Sequence, residues 1–178
     1  MICFLDFETT GIDVFKDHPI EIGAVLVNDN LEIVKEYHSF INPNRKRKFK
    51  ISAIKTHGIE SIDQLKKYPI SMDILLSFFE EFGTNYCFSS WNISFDVTFF
   101  RKLCHQNNMM TKYNEINYRH LDLQSIMSFY YKINKIGIDK NSLDNTCLNF
   151  NIKRSEKHNA LEDAKLLFEI YKKIIPNN

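Results

Sequence analysis

Met1-Ile-Cys-Phe-Leu-Asp-Phe-Glu-Thr-Thr-Gly11 decides how the rest of the chain is read. It is an apolar, strand-like run that ends in two carboxylates, Asp6 and Glu8, and breaks at Gly11. Side chains two apart on a strand share a face, so Asp6 and Glu8 project side by side, within reach of one cation. Phe7, between them, points to the opposite face and into a core. Two like charges so close repel each other and are expensive on an otherwise buried strand. Two readings stand at this point: the strand frays and both acids sit in water, or the pair is part of a metal site.

The chain has 178 residues, enough for one ordinary domain with a proper core, so a single domain over residues 1–178 is expected. A hydrophobic fraction of 44% and a charged fraction of 25% set aside disordered and fibrous classes. The formal net charge of +1 means that any nucleic-acid binding must rest on local patches. Cys3, Cys87, Cys104 and Cys147 form neither a CxxC pair nor a zinc spacing, so buried thiols in a reducing compartment are expected. The chain carries no basic n-region followed by a long apolar run. No signal peptide, no membrane span and a cytoplasmic location are therefore expected.

After Gly11, residues 20–27 read as a second strand, Asn28-Asp-Asn30 as a hairpin turn, and residues 31–41 as a third strand. Short turns between three successive strands imply an antiparallel meander. Asn44-Arg-Lys-Arg-Lys-Phe-Lys50 is a dense basic run, either a solvated loop or a contact to nucleic-acid phosphates. A short helix over 51–56 should end at Gly58 in a left-handed cap. Serine-capped helices are expected over 61–67 and 71–82. Strands follow over 86–90 and 118–121, and helices over 95–107, 122–132, 142–150 and 160–175. Strands first, then alternating helices and strands, give an α/β fold with a mixed sheet flanked by helices.

Two further carboxylates lie on stripes that face the core. In the helix opened by Ser94, counting back from Phe99, Phe100 and Leu103 lands on Asp96. The helix dipole would favour an acid in the first turn on any face, so it accounts for the charge but not the direction. In the last helix, Asn159 with Glu162 forms a capping box. His158 and Asp163 then occupy the two positions that touch in a hydrophobic staple, and Asp163 heads the stripe Leu166, Leu167, Ile170, Ile174. Hard carboxylate oxygens suit Mg²⁺ or Mn²⁺ better than zinc. Two such ions about 4 Å apart clamp the attacking and leaving oxygens of a phosphoryl transfer. A neutral His158 would take a proton from the attacking water. The chemistry inferred from Asp6, Glu8, Asp96, Asp163 and His158 is metal-assisted phosphodiester hydrolysis.

Asp6-Phe-Glu-Thr-Thr-Gly11, Trp91-Asn-Ile-Ser-Phe-Asp96 and His158-Asn-Ala-Leu-Glu-Asp163 resemble, in order and spacing, the three motifs of the DEDDh family. This is the DnaQ-like group of 3′–5′ exonucleases, which includes the proofreading subunit of bacterial replicative DNA polymerase. The resemblance covers essentially the whole chain. It implies a ribonuclease H-like five-stranded sheet, a meander of three antiparallel strands plus two parallel strands, flanked by helices. It also implies two divalent cations, Mg²⁺ or Mn²⁺, and release of nucleoside 5′-monophosphates from a 3′ end. By the resemblance Asp6, Glu8, Asp96 and Asp163 match the metal ligands, and His158 matches the general base. Thr9, Thr10 and Gly11 match the turn that approaches the terminal nucleotide, and Ile12 an apolar wedge beside its base. His57, in Thr56-His-Gly-Ile59, and Asn92 and Phe95 match substrate-side positions. Trp91 stands where the family commonly has histidine; it either stacks a base or fills space, and the second reading is preferred.

A haloacid-dehalogenase-type phosphatase would share an acid-bearing first strand, but Glu8 departs from its Asp-x-Asp pattern. A binding or scaffold module that kept the fold and lost the chemistry is argued against by the five occupied catalytic positions. The expected substrate is the 3′ end of single-stranded nucleic acid, DNA rather than RNA, with 3′–5′ trimming of RNA as the alternative. A free-standing enzyme is the preferred expectation, with a polymerase or other repair protein as the alternative partner class. Asp122, after the 118–121 strand, is read either as a helix cap or as a residue supporting the metal ligands from behind, and not as a ligand itself.

Overall fold

A computed structural model describes residues 1–44, 49–137, 141–154 and 158–175. The opening stretch forms β1 (Ile2–Thr9), followed by β2 (Pro19–Val27) and β3 (Ile33–Phe40). After α1 (Ile51–His57) and α2 (Ser71–Phe82) come β4 (Cys87–Ser90), α3 (Ile93–Gln106) and α4 (Met110–Glu115). The chain closes with β5 (Asn117–Asp122), α5 (Leu123–Ile133), α6 (Leu143–Asn149) and α7 (Ala160–Ile174). The sheet has five strands in the order β3-β2-β1-β4-β5. β2 runs antiparallel to both β1 and β3, and β4 runs parallel to β1 and β5. This is the expected meander plus two parallel strands.

Every residue of β2 is buried, because helices cover both faces of the sheet. Alternation along β1 divides the core: Leu5 and Phe7 pack with Phe78, Phe88 and Phe100 on the α2 and α3 side. Phe4 packs with Val25, Met127, Leu167 and Ile170 on the other side. Trp91 joins this second cluster, which fits its expected space-filling role.

Several boundaries differ from the sequence expectation, each for a local reason. α4 was not anticipated: it is six residues long, and its hold is the packing of Met110 and Tyr113 on the first cluster. Residues 61–67 form only a 3₁₀ turn over Ile62–Leu65, capped by Ser61 and Gln64. Ser71 is the first residue of α2, not its cap. Ile70 takes the cap position in an extended conformation, paired as a β-bridge with Asn42. α3 starts at Ile93, one residue before Ser94, because the Asp122 carboxylate accepts the Ile93 N–H at 3.1 Å. The other Asp122 oxygen accepts Ser125 N–H at 2.7 Å, so this residue caps α5 as well. All four cysteines are free, and only Cys87 is not buried. Among the described residues no helix is long and apolar enough to cross a membrane.

Two features of the sheet place the site. The β1–β4 pairing ends at Phe4 and Ser89, so the last part of β1 keeps a free edge on that side. On the opposite side Gly23 faces Asp6 across the β1–β2 register. A Cβ there would sit 2.0 Å from the Ala160 carbonyl carbon. The glycine therefore lets the first turn of α7 lie directly on β2.

Candidate active site

The free edge of β1 is used at once. Phe7 N–H donates to Asp96 Oδ1 at 3.1 Å, and Ser90 Oγ donates to Asp96 Oδ2 at 2.6 Å. The first turn of α3 thus enters where β1 and β4 part, and both carboxylate oxygens of Asp96 are oriented. Asn159 caps α7 by accepting the Glu162 N–H at 3.1 Å, as its sequence position predicts. That cap sets Asp163, on the fourth residue of the helix, toward β1. His158 adopts a left-handed backbone, φ 61°, and its Nδ1 lies 3.8 Å from Glu8 Oε1. One potential ligand atom from each of Glu8, His158 and Asp163 falls within a 4.8 Å span. These residues, with Asp6, Asp96, Phe95 and Trp91, line one open cleft of about 390 Å³.

Glu8, Asp96 and Asp163 are buried, while Asp6 is partly open to the cleft. Burial is the first cause of every carboxylate shift here, because desolvation disfavours the ionised form. It pushes Glu8 up to about 8, with repulsion from Glu21, Asp163 and Asp96 adding to the rise. Asp96 is pushed up to about 7 despite hydrogen bonds from Ser90 and Phe7 that favour its charge. Asp6, at the edge of the cleft, is raised above its ordinary value by burial, then by Asp96 and Glu8. Asp163 is raised by burial and pulled back by Arg154. Four acids held so close, with their ionised forms this disfavoured, are short of positive charge. An all-oxygen donor set of that kind fits hard divalent cations.

Sequence reasoning missed two residues. Glu21, opposite Glu8 in the β1–β2 register, is buried, pairs with His38 Nε2 at 2.7 Å and accepts Ala160 N–H at 3.3 Å. It ties β2 to the start of α7, and a charge inside the apolar run Ile20-Glu-Ile-Gly-Ala24 was the available signal. Arg154 grips Asp163 and Asp144, and nothing periodic marks it in the sequence.

The expected substrate-side residues divide. Ile12 is 82% exposed. Asn92 is exposed at the α3 cap and Phe95 is half-buried against Phe99. Thr9 donates its hydroxyl to Gly11 O at 2.7 Å. Thr10 is fully buried; it accepts His18 N–H at 3.0 Å and donates to Asp17. Gly11 leaves room for that aspartate, since a Cβ there would meet Asp17 Oδ2 at 2.5 Å. Thr10 and Gly11 thus build the loop after β1. His57 Nδ1 accepts Ile59 N–H at 3.1 Å, and burial pushes the imidazole below its ordinary pKa. Of the basic run, Arg45, Lys46, Arg47 and Lys48 lie outside the described residues. Phe49 is buried, and Lys50 binds Asp17 at 3.0 Å, so both serve the fold of the neighbouring loop.

A family model described as "Exonuclease" matches residues 3–171. The epsilon subunit of DNA polymerase III from Buchnera aphidicola is 33% identical over 94% of this chain and 67% of that protein. The same subunit from Rickettsia prowazekii is 34% identical over 94% of this chain and 70% of its own length. The chain belongs to the DnaQ-like exonuclease family. Solved structures agree on the ribonuclease H-like fold. Escherichia coli Exonuclease I in complex with a dT13 oligonucleotide superposes with a TM-score of 0.84 at 17% identity, over 97% of this chain and 40% of that one. The nuclease domain of 3′hExo, a DEDDh family member bound to rAMP, gives 0.70 at 19% identity, over 97% and 90%. The chain thus spans about two fifths of the Exonuclease I chain and about two thirds of the epsilon subunits.

Proposed function

We propose that this chain is a 3′–5′ exonuclease that removes nucleoside 5′-monophosphates from the 3′ end of single-stranded nucleic acid, DNA in preference to RNA. The observation that carries the reading is the convergence of Asp6, Glu8, Asp96, Asp163 and His158, from three distant segments, on one cleft. Asp6, Glu8, Asp96 and Asp163 would hold two divalent cations, Mg²⁺ or Mn²⁺. When bound, these supply Lewis acidity toward the scissile phosphate and stabilise the attacking and leaving oxygens. Asp96 is oriented for that task by Ser90 and the Phe7 N–H. His158, whose Nδ1 lies 3.8 Å from Glu8 Oε1, takes the proton of the attacking water. Ile12 is available to wedge against the terminal base. Asn92 and Phe95 border the cleft, and with Thr9, Thr10, Gly11 and His57 they would contact the terminal nucleotide.

The DNA preference rests on relatives that are polymerase subunits and on a neighbour solved with an oligodeoxynucleotide. A polymerase or repair partner is proposed on the same ground. The rAMP-bound neighbour, covered over most of its length, supports RNA trimming as the second reading. The test is a matched pair of 5′-labelled single strands, DNA and RNA of one sequence, incubated with Mg²⁺, Mn²⁺ or EDTA. A metal-dependent ladder shortening from the 3′ end is expected, and the faster strand identifies the substrate. No shortening of either strand with either metal would overturn the proposal and leave a binding module.

A further inference from the structure

Arg154 stands among the catalytic acids without an assigned task. Its side chain is only 9% exposed. Nε lies 3.1 Å and Nη2 2.7 Å from Asp163 Oδ1, and Nη2 also reaches Oδ2. On its other side Nη1 donates to Asp144, the second residue of α6, which is 42% exposed. The guanidinium therefore forks between an acid of the catalytic cluster and an acid outside it.

We propose that Arg154 is the resident counter-charge of the catalytic acids, and that it competes with divalent metal for Asp163 while Asp144 keeps it tethered at the cleft. The competition rests on the metal reading above; the counter-charge does not. An ionised carboxylate offers about four lone-pair sites on two oxygens. Arg154 contacts both oxygens of Asp163, so a cation arriving there must share or displace it. A guanidinium does not lose its proton, so its charge cannot leave the site by titration. It also repels a dication over the few ångströms involved. With no metal bound, the same charge offsets the mutual repulsion of four clustered acids. Asp163 is buried, so stranding it without a cation is costly. The tether explains the bridging geometry: Asp144, being half open to water, adds little stability of its own but fixes where the guanidinium stays.

The test uses the full chain and four variants: R154Q, R154K, D163N and R154Q/D163N. Melting in EDTA reads the counter-charge without reference to metal. R154Q should melt lower than wild type and R154K should recover much of the loss. The double variant should melt higher than R154Q alone, because a neutral amide in place of the Asp163 carboxylate needs no counter-charge. A packing role would instead make the two losses add, and additive losses overturn the counter-charge. Calorimetric titration with Mn²⁺ reads the competition. R154Q should bind about fivefold or more tightly than wild type, with R154K close to wild type. Equal or weaker binding by R154Q overturns the competition. Absence of Mn²⁺ binding in wild type and R154Q alike overturns the metal reading and the competition together, while the EDTA cycle still decides the counter-charge.

Discussion

Replacing Gly23 by alanine tests the seat of α7 on β2. The added Cβ would lie 2.0 Å from Ala160 C, 2.1 Å from Leu161 N and 2.2 Å from Ala160 O. All three are backbone atoms in the first turn of a helix whose start is tied down twice, by the Asn159 cap and by Glu21. No side chain can swing aside to relieve the contact. Ordinary carbon contacts begin at about 3.5 Å, so helix or strand must retreat by roughly 1.5 Å. Overpacking of this kind costs about 1–3 kcal/mol, and a chain of this size loses roughly 2–4 °C of melting temperature per kcal/mol. A drop of roughly 2–12 °C is expected. The same turn carries Asp163, and a misplacement of about 1 Å in catalytic geometry costs on the order of 10²-fold in rate. The assays are thermal melting and the initial rate on a 5′-labelled single strand. A G23A protein that melts and cleaves like wild type would refute the inference that close contact of α7 with β2 places Asp163. A lowered melting temperature with unchanged rate would mean that the shift is absorbed away from the site.

Three shorter expectations accompany it. H158A should keep the fold and bind metal but slow hydrolysis by roughly 10²–10⁴-fold; a near-normal single-turnover rate removes the imidazole from the proton transfer. S90A withdraws the 2.6 Å hydrogen bond that helps Asp96 carry charge. Divalent-metal affinity should then weaken by about 10–100-fold in a calorimetric titration, and an unchanged affinity would show that Phe7 N–H orients Asp96 alone. In EDTA, Glu8 and Asp96 titrate near 8 and 7 in the folded chain against 4.5 and 3.8 ordinarily. The folded state then holds more protons than the unfolded one between about pH 4 and pH 8, so these acids make stability fall as pH rises through that window. His57, lowered from 6.5, pulls the opposite way below its ordinary pKa. The four acids outweigh it, and melting temperature should decline from pH 5 to pH 8, with saturating Mg²⁺ flattening the slope. A rise over that range in EDTA would contradict the charge arrangement of the cleft.

The parts of this architecture that announce themselves in sequence are those governed by local periodicity. Asp96 and Asp163 interrupt apolar stripes at helical spacing, and Asp6 and Glu8 do so at strand spacing, so their direction is readable before any fold is known. The Asn159 cap and the Gly58 cap are equally local, and both form. What escapes is set by partners distant in the chain. Arg154 has meaning only beside Asp144 and Asp163. The early start of α3 depends on Asp122, 29 residues further on. The hold of Asp17 and His18 on the Thr10 hydroxyl is likewise set by residues seven and eight positions further on.

Helix α3 carries Asp96 in its first turn and Lys102 further along, and Lys102 donates to Val14 O and Asp17 O at 2.6 and 2.5 Å. The two residues are separated by about 9 Å of helical rise. One rigid rod therefore works as a ruler between the acid end of the cleft and the loop that displays Ile12. The spacing between these two points is gauged by helix pitch and not by the twist of the sheet. Changing the register of α3 by a single residue would reset both jaws at once.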